Sequence, residues 1–344
     1  MKKTIIHIIP LLLLALSISN STTAQDIHFS QFFEAPLLRN PSLAGIFTGD
    51  IRAQIVYRDQ WNSFTNAFKS GSFNAEYKMP IGKGDDFITA GLQMLYDKAG
   101  TVSLTSSHLL PAINYHKALS SERNMYLSVG FMGGIVQKSI DRSKITTDNQ
   151  YDGGAYNPAL ADGETFINSN YMYADGSVGA SFNSSFGEEQ KNNLFFGIAY
   201  HHLNRPSNSF YRSANAALHP KWVYSAGVRF NVNDQGFFNL QADYSTQGTA
   251  DEIIGGAMYG YKIGDPETPD YTLYGGFFIR MKDAIIPAMK IDYNPFSIGL
   301  SYDVNVSQLK TASQGRGGFE LSVTYIGFLD RDNSSKFKVM CPRF

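Results

Sequence analysis

The chain has 344 residues, a formal net charge of -1, 43% hydrophobic and 14% aromatic residues. The near-neutral balance leaves no basic excess to neutralise phosphates, which argues against a nucleic-acid partner. The 25 Phe, 20 Tyr and 31 Gly favour strands over helices, and Cys341, the single cysteine, excludes a disulfide within the chain.

Residues 1–24 have the form of a signal peptide: Lys2-Lys3, an apolar run over 5–18, then Thr22-Thr23-Ala24, with cleavage expected before Gln25. The run is short for ~30 Å of hydrocarbon and carries His7 and Pro10, so a membrane anchor is the weaker reading. No cysteine follows it to carry a lipid. Beyond residue 24 no stretch approaches the ~18 apolar residues of a spanning helix, so an exported chain of this kind can enter a bilayer only as a closed barrel.

Residues 25–50 hold Pro36, Asn40-Pro41 and Gly45 and lack alternation. Phe29, Phe32, Phe33, Leu37, Leu38 and Leu43 make this lead-in too apolar for water. It is expected to pack, plug-like, on the periplasmic mouth of a barrel or partly inside it. Alternating runs follow at 51–59, 72–78, 87–96, 105–117 and 125–138; residues 60–65, with Trp61, separate the first two. Residues 139–170 are a long polar loop. Alternation resumes at 171–182, 193–201, 221–230, 237–247, 252–262 and 271–281.

The clearest stretch is 284–304, where Ile285, Pro287, Met289, Ile291 and Tyr293 alternate with Ile286, Ala288, Lys290 and Asp292, and a turn at Asn294-Pro295 leads into Phe296, Ile298, Leu300, Tyr302 and Val304, opposite Ser297, Gly299, Ser301 and Asp303. Aromatic residues at the ends of its apolar stripes suit the lipid–headgroup boundary. With a last strand at 318–328 the count is about fourteen. An all-β transmembrane antiparallel barrel is predicted over 51–330, with 331–344 as a periplasmic tail. If the first strand points outward, the long gaps 139–170, 202–220 and 305–317 all fall on the extracellular side.

Charge parity supports this register. Arg52, Arg58, Glu76, Arg229, Asp243, Lys290, Asp292, Asp303 and Glu320 all lie opposite the apolar stripe, in what reads as a wet interior. Pro111 and Pro287 cannot donate to a ladder, so a bulge or strand end is expected there. Gly255-Gly256 and Gly275-Gly276 permit sharp curvature.

No catalytic signature emerges, and neither a cofactor nor a metal site is expected. His201-His202 read as solvated loop histidines, residues 148–154 lack the spacing of a calcium loop, and residues 82–85 form a turn. No Gly-x-Ser-x-Gly element is present.

At the two ends the sequence becomes specific. Gln25-Asp26, Phe29-Ser30-Gln31-Phe32, Pro36-Leu37, Asn40-Pro41, Ala44-Gly45, Arg52 and Tyr57-Arg58-Asp59-Gln60-Trp61, with Cys341-Pro342-Arg343-Phe344, resemble the PorP/SprF family of the Bacteroidetes type IX secretion system. The resemblance implies a non-enzymatic outer-membrane protein of secretion or gliding motility. Its implied partner is a secreted adhesin, anchored through its C-terminal secretion domain. It also implies links to the periplasmic secretion machinery and to a peptidoglycan-binding OmpA-like lipoprotein. Outer-membrane lipids would surround the barrel. The alternatives are a transport barrel like those for fatty acids, or a porin. Candidate partner-binding residues are Phe29, Phe32, Pro36, Leu37, Asn40, Pro41 and Trp61 near the N-terminus, and Tyr151, Tyr156, Phe210 and Tyr211 in the long loops.

Overall fold

The computed structural model describes residues 26–60, 68–82, 84–164, 168–211, 216–307 and 313–329. The expected signal peptide over 1–24, Trp61, Cys341 and the residues from 330 lie outside the described residues. Fourteen antiparallel strands close into one barrel. They are β1 (Ile51–Gln60), β2 (Phe68–Pro80), β3 (Phe87–Ala99), β4 (Leu104–Ser120), β5 (Met125–Ser139), β6 (Asn170–Phe186) and β7 (Asn192–His201). Then come β8 (Lys221–Asn231), β9 (Gly236–Gln247), β10 (Ala250–Gly264), β11 (Pro269–Arg280), β12 (Ala284–Tyr293), β13 (Phe296–Asn305) and β14 (Arg316–Gly327). Each pairs with its chain neighbours, and β1 closes on β14 from Ile51↔Gly327 to Gln60↔Gly318, so no edge is left unpaired.

The alternation places greasy side chains outward. Phe277 and Met289 are each 62% exposed, an exposure that suits lipid and not water. Aromatic groups collect at both ends of the wall. Tyr200, Trp222, Tyr224 and Tyr244 form a continuous row at one end, and Tyr271 stacks on Tyr293 at the other. Of the nine charges used to test register, Arg52, Arg58, Glu76, Asp243, Asp292, Asp303 and Glu320 are buried inside. Lys290 reaches inward to Glu34, and Arg229 lies over the buried Phe237 ring.

The prolines differ from expectation. Pro111 faces Leu92 on one side, and on the other the pairs Leu109↔Ile135 and Ala112↔Met132 keep one register across it. Pro287 behaves alike, between Ile285↔Val304 and Ala288↔Ser301. Each strand residue offers its N–H to one neighbour only, so a missing donor opens a gap in one ladder without a bulge or strand end. The paired glycines sit where strands crowd: a Cβ on Gly256 would lie 2.3 Å from the Phe277 carbonyl oxygen, and one on Gly276 2.1 Å from that of Ala257.

The connections 140–169, 202–220 and 306–315 share one end of the barrel, the long-loop end. Those at 187–191, 232–235, 265–268 and 294–295 share the other, the short-turn end. Residues 26–50 are not confined to a mouth. The Asp26 amide donates to Gln247 Oε1 at the long-loop end, and the Asp50 amide donates to the Gly327 carbonyl at the short-turn end. Between them the chain threads the whole lumen in three short helical turns, Phe32–Glu34, Pro36–Arg39 and Pro41–Leu43.

The interior is therefore a packed core. Phe32 and Phe33 bury against Phe237, Ile254, Met258, Phe278 and Ile286, with Phe33 stacked on Phe278 at 5.1 Å. Leu37 and Ala44 meet Leu110, Ala112 and Met132, and Phe29 meets Val56 and Leu95. The reading of a wet lumen missed these inward-facing apolar side chains, because along the inward-facing positions they stand among polar residues or glycine, as Val56 does between Gln54 and Arg58 and Phe278 between Gly276 and Arg280.

Candidate functional site

The plug is seated at Asn40-Pro41-Ser42. Asn40 Oδ1 accepts from the Ser42 amide (2.8 Å) and hydroxyl (2.7 Å), which caps the turn, while Nδ2 donates to the carbonyls of Ala180 (3.2 Å) and Ile198 (3.1 Å). The wall receives this turn through three glycines. A Cβ on Gly130 would lie 2.6 Å from Pro41 and Ser42 backbone atoms, and one on Gly179 or Gly197 would lie 1.9 or 2.8 Å from the Asn40 amide group. Asn114 Nδ2 donates to the carbonyls of Ser42 (2.6 Å) and Ala44 (2.8 Å).

Charged pairs fix the rest of the segment. Arg39 forks onto Asp243 at 2.7 and 2.5 Å, and Lys290 meets Glu34 at 2.7 Å. Glu320, fully buried, accepts from the Ser30 and Gln31 amides at 2.7 and 2.8 Å. Arg58 donates to the His28 carbonyl (2.7 Å) and to Asp303 (3.1 Å); Arg280 joins the same group through Ser30 and Asp303. Buried ions persist only when partnered; the plug partners Asp243, Lys290 and Glu320, while Arg52 pairs with Glu76 and Arg58 and Arg280 with Asp303 within the wall. Sequence reasoning found the wall charges by parity but assigned them to solvent. Glu34 and Arg39, isolated charges in an apolar lead-in, were the overlooked signal.

His201 and His202 are not solvated loop histidines. His201 contacts Ser177 Oγ and the Arg39 carbonyl. His202, just past β7, bridges Asp175 (2.8 Å) and Asp26 (2.7 Å), which latches the start of the plug at the long-loop end. Burial lowers the His202 pKa, but the hydrogen bonds and charges of the two carboxylates outweigh it and raise the value to about 9. A raised folded pKa means the latch is fully present below the ordinary value of ~6.5 and is lost as pH rises through about 9. Amide exchange at 26–30 is therefore expected to accelerate at least tenfold between pH 7 and pH 10, after correction for intrinsic rates. In His202→Gln it should be fast at both. A pH-independent rate in the parent would remove the latch.

Phe29, Phe32, Pro36, Leu37, Asn40 and Pro41 are all buried between plug and wall. At the long-loop end, Tyr151 and Tyr156 project from a small hairpin, 57% and 43% exposed, with ring centroids 6.0 Å apart. Phe210 packs edge-on against Tyr171 at 4.8 Å, and the Tyr211 hydroxyl donates to Glu164 (2.8 Å), joining the two longest loops into one rim. Residues 148–154 are a 3-10 turn at Asp148–Gln150 followed by that hairpin. Among the described residues no group of three or more His, Cys, Asp or Glu side chains could hold a metal.

A family model described as type IX secretion system membrane protein PorP/SprF matches residues 21–325. The chain belongs to the PorP/SprF family. No curated protein matches this PorP/SprF chain. Among solved structures, a mutant of the TodX monoaromatic hydrocarbon channel is 12% identical at TM-score 0.45, over 85% of this chain and 93% of that one. A Rhodopseudomonas blastica porin mutant is 9% identical at TM-score 0.32, over 80% and 98%. CdiB from Acinetobacter baumannii is 8% identical at TM-score 0.40, over 80% and 60%. Membership makes this PorP/SprF protein a membrane component of type IX secretion, and its fold is that of an outer-membrane barrel.

Proposed function

We propose that this PorP/SprF protein is a closed anchor in the outer membrane, and that it holds a secreted adhesin at the cell surface by binding the adhesin's C-terminal secretion domain. The observation that carries the reading is the plug: residues 26–50 run through the lumen and pack its interior against the wall, so a pore is a poor use of this barrel while a binding platform remains. The long-loop rim, with exposed Tyr151, Tyr156 and Tyr211, supplies aromatic surface of the kind that dominates protein contacts. Periplasmic machinery and an OmpA-like lipoprotein would meet the short-turn end. The charged groups of the plug are spent on ion pairs with the wall, such as Arg39 with Asp243 and Glu34 with Lys290, which supports a non-enzymatic role.

Affinity purification from detergent-solubilised outer membranes tests this. The expected result is co-purification of a surface protein bearing a type IX C-terminal domain, reduced at least tenfold by joint Tyr151→Ala, Tyr156→Ala and Tyr211→Ala replacement. Undiminished capture by that variant would move the contact elsewhere. Absence of any such protein from the parent would overturn anchoring. The alternative, uptake of a small apolar molecule, finds little room: the cavity between plug and wall beside Ile27, Phe29, Leu38, Val223 and Ile254 is ≈ 50 Å³ and is also lined by His28, Arg39, Lys221, Asp243 and Glu252. That reading requires ligand binding without any protein partner.

A further inference from the structure

The plug ends before it fills the short-turn mouth. An open vestibule of ≈ 1510 Å³ remains there, with Thr48 of the plug on its inner side and the connections 187–191, 232–235 and 265–268 around its rim. Its inner wall carries Tyr126, Phe237 and Tyr274, the last two continuous with the apolar cluster that receives Phe33. Its rim is acidic. Six carboxylates line it against three basic side chains, and those three are already engaged. Lys191 pairs with Glu189 (2.7 Å) and Asp234 (3.5 Å), Lys262 donates to the carbonyls of Asp234 and Pro266, and Arg229 covers the Phe237 ring.

The chain leaves the barrel at this rim. Phe328 lines the vestibule, and the Leu329 amide donates to Asp50 Oδ2 (2.8 Å), which fixes the exit beside the plug's own end. The C-terminal tail is opposite in character to the rim. From residue 336 the chain reads Lys336, Phe337, Lys338, Val339, Met340, Cys341, Pro342, Arg343, Phe344, with basic groups at three positions and no acid. Residues 330–344 span up to ~50 Å when extended. Fourteen strands spaced ~4.8 Å and tilted ~40° enclose a ring roughly 27 Å across, so the tail reaches every point of the mouth.

We propose that residues 336–344 of this same chain dock in the short-turn vestibule, with their basic side chains against the acidic rim and their apolar ones against the aromatic wall. Charge complementarity and the tether at Leu329 select this occupant. A segment already held at the rim acts at the high effective concentration that a short linker confers, and a separate partner would have to displace it.

Cys341, the single cysteine, is a native reporter of the tail's position. Thr272, 7% exposed and lining the vestibule, supplies the second site as Thr272→Cys. Mild oxidation of outer membranes is expected to join 341 to 272 within one chain in most molecules, read as a faster band on a non-reducing gel and as the linked peptide by mass. Thr101→Cys, on the 100–103 turn at the opposite end, should give none. Joint Lys336→Glu, Lys338→Glu and Arg343→Glu replacement should lower the yield at least fivefold. If Thr272→Cys fails to assemble, Asn231→Cys, also lining the vestibule, takes its place. The proposal falls if the intrachain bond does not exceed the Thr101→Cys level, if the only disulfides join two copies, or if charge reversal leaves the yield unchanged.

Discussion

Replacing Gly130 by valine is expected to expel the plug from an otherwise assembled barrel and turn a silent protein into a conducting one. The new Cβ would lie 2.6 Å from the Pro41 carbonyl and the Ser42 amide. These are backbone atoms held by the Asn40 cap, so no rotamer change relieves the clash. Overpacking of this kind typically costs ~1–3 kcal/mol where the neighbour can shift, and here the neighbour's alternative is to leave. The strands are topologically independent of the plug: every barrel pairing runs strand to strand. Heat-modifiable migration should therefore persist while steady conductance appears in planar bilayers. Gly71→Ala is the matched control, since a Cβ there meets nothing within 4 Å. A closed Gly130→Val barrel would show that the socket is not what seats the plug.

Much of the barrel was legible because its signal is local. A period of two, aromatic stripe ends and charge parity are readable strand by strand, and lipid enforces all three at once. Thus 284–304 announced β12 and β13, and the nine parity charges fell inside. The plug's path was not legible, because it depends on which of several inward side chains meet it across hundreds of residues: Ser30 with Glu320, Arg39 with Asp243, Asn40 with Ala180. Inward Val56 and Phe237 broke the polar alternation singly, each a weak hint that the lumen held something apolar. His202 misled for the opposite reason: an adjacent histidine pair before a polar loop looks solvated unless Asp26, far away in sequence, is known to arrive beside it.

Arg39→Met should destabilise the protein more than any exposed substitution, and its partner should reverse most of the loss. The guanidinium forks onto Asp243 at 2.7 and 2.5 Å and lies between two rings, 4.7 Å from the Phe32 centroid and 5.6 Å from that of Phe195. Methionine keeps much of that packing but strands Asp243 as a buried, uncompensated anion, a change that costs about 3–5 kcal/mol. Asp243→Leu alone strands the arginine at similar cost. In the double variant neither ion remains, the apolar pair can fill the space beside Ile254 and Phe32, and replacing a buried pair by packed apolar side chains is commonly near neutral. A double-mutant cycle by denaturant unfolding in lipid vesicles should thus give a coupling energy of about 2 kcal/mol or more, well above the ~0.5 kcal/mol of independent sites. Additive losses would mean that the two groups are solvated separately, and that water reaches the plug after all.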